Sequence, residues 1–116
     1  MAKKRAADLN VTPSSGNVFA DLRLADPEEE LAKAQMATLI RQVIKRRRLT
    51  QAAAATVMGI DQPKVSALFN GRLTGFSSDR LMRLLTTLGQ DVEIVVKAKP
   101  RNHNRGRISV IAESLA

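Results

Sequence analysis

The sequence predicts an all-α fold: four to five helices in one compact domain, closed by a single C-terminal β-strand. Three observations carry this. Apolar residues recur at helical spacing in Met36–Ile44, Val65–Phe69 and Leu81–Leu88. Capping residues stand before the last two of these and the short helix between the first two, as Thr50, Asp61 and Ser77, and glycines follow at Gly59, Gly71 and Gly89. With no Trp, no Tyr and 3 Phe, the core must be aliphatic, as in a helical bundle. The 116 residues divide into a disordered basic tail at 1–16, a folded domain at 17–97 and a flexible basic tail at 98–116.

Residues 1–16 lack periodicity and mix Lys, Ala, Asn, Pro and Ser. A solvated tail accounts for them; a loose contact with DNA is the functional alternative. Asn17 to Ala25 carries Val18, Phe19, Leu22 and Leu24 as apolar anchors. Asp26 can cap the next helix, with Pro27 at its first position and Glu28–Glu30 at the positive end of its dipole. That helix should run from Pro27 to Arg47, with Met36, Ile40, Val43 and Ile44 as its inner stripe and Leu39 beside it. The run Lys45–Arg48 suits the negative end of the dipole. A solvated helix end explains it, and phosphate contact is the alternative.

The stretch Gln51–Asn70 reads as two short helices and a tight turn. Thr50 can bond an orphan amide of the first, and the Ala run propagates it. Gly59 sits where the helix must stop and the backbone must turn left-handed. Asp61 can cap the second helix, and Pro63 falls in its first turn, where a missing N–H does no harm. Ala55 is small where the helices should cross, and Met58 and Ile60 flank the turn on the buried side. Val65, Leu68 and Phe69 share the inner face of the second helix. Its outer face carries Pro63, Ser66, Ala67 and Asn70, with Gln62 and Lys64 on the shoulders. A helix with one apolar face and an outer face of short polar groups suits the floor of a DNA major groove.

After Gly71 comes a loop with Arg72 and Thr74. Ser77 or Ser78 caps a helix whose Leu81, Leu84, Leu85 and Leu88 close the core before Gly89. Asp91 to Lys97 alternates, with Val92, Ile94 and Val96 on one face, and β-branched alternation argues a strand. A lone strand needs a partner. Two are available: the same strand of a second copy, giving a homodimer, or the Ile108–Ala112 run in the same chain. His103, the single His, stands in a polar tail and reads as solvated.

The net charge of +8 favours a polyanionic partner. Residues 17–30 are acidic, with Asp21, Asp26 and Glu28–Glu30 against Arg23. Residues 33–83 are basic and contain the two-helix stretch, as phosphate binding requires.

Leu49-Thr50-Gln51, Ala55, Gly59, Val65-Ser66, Leu68 and Asn70-Gly71 resemble the helix-turn-helix of the Cro/C1 repressor class, the XRE family. The likeness covers residues 36–89, where packing, turn and capping signals agree. One departure is Ala53, near which the family usually has an acidic residue that completes a capping box with Thr50. NVFADLRLADPEEELAKAQ before the motif and LGQDVEIVVK after it look like the antitoxin-type subgroup, whose members often sit beside an RNA-cleaving toxin. The resemblance implies a repressor whose second motif helix enters the major groove of double-stranded DNA. The base-edge candidates are Gln62 and Ser66, then Pro63 and Ala67 against thymine methyls, and Asp61 after its capping role. Thr50, Gln51, Lys64, Asn70, Arg72 and Thr74 are the phosphate candidates. A dimer would place two such helices about 34 Å apart on a palindromic operator. Phe19, Leu22 and Leu24 are then candidates for toxin contact or for packing on the chain's own helices.

Enzyme classes fare badly. The chain has no Cys, no Ser-His-Asp set, no metal-ligand cluster and no Gly-rich phosphate loop, so neither cofactor nor metal is expected. The stacking aromatics that serve single-stranded RNA are nearly absent. No apolar run reaches the length of a membrane span, and no apolar stretch follows Lys3–Arg5, so a cytoplasmic protein is expected.

Overall fold

The computed structural model describes residues 26–102 and 104–115. Among these, four helices form: α1 (Pro27–Arg46), α2 (Gln51–Met58), α3 (Gln62–Phe69) and α4 (Ser78–Thr87). The expectations for residues 1–25, including Phe19, Leu22 and Leu24, and for His103 lie outside the described residues.

Local chemistry sets each helix start. Asp26 Oδ1 accepts from the Glu28 amide at 2.9 Å, with Glu28–Glu30 in the first turn of α1. Thr50 Oγ1 accepts from the Ala53 amide at 3.0 Å, so this cap holds without an acidic partner. Asp61 Oδ1 takes the Lys64 amide at 3.0 Å, and Ser77 Oγ takes that of Arg80 at 3.1 Å. The ends follow backbone geometry. Gly59 turns left-handed at φ 70°, and the Ile60 amide returns to the Ala55 carbonyl at 3.1 Å. Arg48 does the same at the end of α1 with φ 56°, a conformation that favours glycine, and the Leu49 amide closes onto Ile44 O at 3.1 Å.

These stops aim α1, α2, α3 and α4 at one aliphatic core. Ile40, Val43 and Ile44 from α1, Val65 and Leu68 from α3, and Leu81 and Leu88 from the α4 region are fully buried. α2 packs against α3 and α4 with small side chains on its inner side: Ala54 is fully buried and Ala55 nearly so. Phe69 is only half-buried. Two arginines tie helices together through carbonyls: Arg47 Nη1 donates to Leu88 O at 3.1 Å, and Arg41 Nη1 to Leu68 O at 2.8 Å. The exposed Arg83–Asp79 pair at 3.0 Å adds little to stability.

The expected strand is the main difference. Asp91–Lys97 forms no strand, and no ladder joins it to Ile108–Ala112 among the described residues. Val92 is 38 % exposed, Ile94 78 % and Val96 90 %. The physical reason is the need for a partner: a ladder to a second copy cannot form within one chain, which leaves only the Ile108–Ala112 run. A hairpin with 108–112 would also draw in the cationic connection with Lys99, Arg101, Arg105 and Arg107, whose like charges oppose closure. Val110 and Leu115 instead pack, half-buried, against the helical core. Val110 and Ala112 share a shallow groove with Gln35, Thr38 and Leu39 of α1.

Candidate nucleic-acid interface

The site is built on α2, its turn and α3. The Asp61 cap and Pro63 start α3 at Gln62, so Asp61, Gln62 and Pro63 stand exposed together at its N-terminal end. One turn on, Ser66 is half-buried, and its Oγ accepts from Asn70 Nδ2 at 3.4 Å. The hydroxyl proton of Ser66 remains available to a base edge. Ala67 is half-buried and packs against the core, which leaves only part of its methyl for an outside contact.

The phosphate candidates lie at the start of α2, within α3 and in the turn after it. Thr50 and Gln51 open α2, where Thr50 is exposed and Gln51 half-buried. Thr50 Oγ1 accepts from the Ala53 amide in its cap, which leaves the hydroxyl proton as its donor. Lys64 is half-buried in the first turn of α3. Asn70, Arg72 and Thr74 are exposed after α3, where the Arg72 amide closes onto Ala67 O at 2.9 Å. Lys45, Arg46 and Arg48 are exposed at the end of α1, next in sequence to the Thr50 cap. The arrangement suits direct readout by the start of α3 with cations and amides around it. Arg47, from the same charge run, is committed to the Leu88 carbonyl.

Val92, Ile94 and Val96 lie in the irregular segment after α4. The sequence reading missed Arg41, whose guanidinium reaches the C-terminal end of α3. A signal was present: Arg41 falls in the stripe of Ala37, Ile40 and Ile44, where a solvated arginine does not belong. No group of three or more His, Cys, Asp or Glu gathers among the described residues. No helix among them is long and apolar enough to cross a membrane.

A family model for a helix-turn-helix domain matches residues 18–97. A solved structure described as an XRE family transcriptional regulator is 56% identical, over 76% of this chain and 99% of that one, with a TM-score of 0.72. No curated protein matches the chain. A match over most of the chain, with a relative of this identity aligned over nearly its whole length, places the protein in the XRE-type helix-turn-helix family of transcriptional regulators.

Proposed function

We propose that the protein is a sequence-specific repressor that binds a palindromic operator as a homodimer, and that it is the antitoxin of a type II toxin–antitoxin pair repressing its own operon. The observation that carries the DNA half is the exposed edge Asp61-Gln62-Pro63 at the start of α3, with Lys64 in the same turn and exposed Thr50 and Arg72 at the two ends of the two-helix motif in sequence. Gln62 bonds a base edge, Ser66 assists, and Pro63 and the outer part of Ala67 meet thymine methyls. Asn70, Arg72 and Thr74 hold phosphate. The antitoxin half rests on the resemblance at 17–35 and 88–97.

Gln62→Ala is expected to weaken binding to the preferred site by about 1–3 kcal/mol with little loss on random DNA. Arg72→Ala should weaken both and reduce the salt slope by about one. Footprinting on the protein's own promoter, followed by titration of the two variants, measures this. Unchanged site preference in Gln62→Ala would remove α3 from the reading role. Repeating the footprint with the neighbouring gene's product tests the toxin. A product that neither binds nor shifts the footprint leaves an XRE regulator without a toxin.

The dimer is supported by Ile94 and Val96, aliphatic and exposed on a backbone with no ladder. Antiparallel pairing with a second copy would satisfy both backbones and cover Val92, Ile94 and Val96. Ile94→Asp with Val96→Asp is therefore expected to yield a monomer with an unchanged helical signal. Sedimentation and far-ultraviolet circular dichroism read the two quantities, and a doubly substituted protein that stays dimeric refutes the pairing.

A further inference from the structure

We infer that Arg41 is a positioning residue for DNA recognition: it fixes the C-terminal end of α3 and so the angle at which Gln62 and Ser66 meet the bases. This rests on α3 being the reading helix. The geometry is a chain of bonds from α1 to α3. The Thr38 hydroxyl donates to Ala34 O at 3.0 Å and accepts from Arg41 Nη2 at 2.9 Å. Arg41 Nη1 donates to Leu68 O at 2.8 Å. The planar guanidinium thus spans two helices with both terminal nitrogens engaged, and Thr38 holds it in one orientation.

Leu68 O is one of the last carbonyls of α3, where the helix dipole is negative, and a half-buried cation is well placed there. The other bond given to that carbonyl from the following turn, from the Gly71 amide, is long at 3.3 Å. Without Arg41, the end of α3 loses its short charge-assisted contact. The turn Gly59–Asp61 still holds the start of α3, but its far end then rests on α1 through apolar contact, which fixes depth better than angle. Arg41 is half-buried and turned inward, so it does not itself serve as a phosphate contact.

The test is binding of the full chain to two duplexes: the site recovered by footprinting, and a random duplex of equal length. Arg41→Met keeps the stem and removes the donors. It is expected to lower the specific-to-random affinity ratio about tenfold while random binding and its salt slope stay unchanged. Arg41→Lys, with one nitrogen where the span uses two, should fall between; it also carries the test if Arg41→Met does not fold. A variant whose melting temperature drops while the ratio stays within twofold of wild type assigns Arg41 a packing role only and overturns the inference. A lower salt slope with equal loss on both duplexes makes it a phosphate contact and also overturns it. Gln62→Ala is the control: if it leaves site preference intact, the α3 reading fails. If it alters preference while Arg41→Met does not, only the role of Arg41 fails.

Discussion

Leu68→Ala is expected to lower stability by about 2–5 kcal/mol. Leu68 is fully buried on the inner face of α3, inside the cluster with Ile40, Ile44 and Val65. Trimming its isobutyl group to a methyl forfeits the transfer free energy of three carbons and leaves a cavity that α1, α2 and α4 cannot fill without moving. Small domains hold about 5–15 kcal/mol in all, so the loss is a large share of the total. Urea denaturation followed by circular dichroism measures it. Val57→Ala is the comparison, because Val57 is 37 % exposed on α2 and surface changes usually stay within about 0.5 kcal/mol. A loss below about 1 kcal/mol in Leu68→Ala would mean that α3 does not rest on this core.

Ala54→Leu is expected to cost about 1–3 kcal/mol by the opposite route, overpacking. Ala54 is fully buried on α2, which packs against both α3 and α4. The turn Gly59–Asp61 joins α2 to α3 too tightly for either helix to slide, so extra volume must tilt one against the other. The tilt separates the start of α2 from the start of α3, the two ends proposed to meet DNA together. Site-specific affinity should therefore fall in whatever protein remains folded. Ala52→Leu, on the exposed side of the same helix, should change neither quantity. The checks are a denaturation midpoint and a binding titration. A variant with wild-type midpoint and affinity would show that the crossing has slack.

Features written in local chemistry were legible before the structure. Thr50, Asp61 and Ser77 cap as their side chains require, and Gly59 takes the left-handed turn. The stripes of α1 and α4 point inward because the helical period leaves them no other face. Less was legible where the sequence offers no contrast. Within Ala52–Ala55 every side chain is a methyl, and the structure buries Ala54 as well as the expected Ala55. Phe76 is buried from within a loop, where no period announces it. Arg41 and Arg47 bond carbonyls 27 and 41 residues away, a separation that no sequence window spans. The alternation of Val92, Ile94 and Val96 records which side chains would share a face, but a strand exists only with a ladder partner. In α3 the pattern placed Ser66 and Ala67 on the outer face, yet the structure half-buries both, and Ala67 packs against the core.

Phe76 also bears on how quickly a partner can be engaged. It is 3 % exposed, its amide donates to Leu73 O at 3.0 Å, and Leu73 is itself packed against the core. The turn carrying Thr74 is thereby staked at both ends, with Arg72 just outside the first stake. Freezing a free backbone takes about 1–2 kcal/mol per residue, and here that ordering is complete when the chain folds. If Arg72 and Thr74 hold phosphate as proposed, an arriving phosphate meets a surface whose shape is already set. Collisions that would dissociate while a floppy loop searched for its pose can instead be productive on first contact.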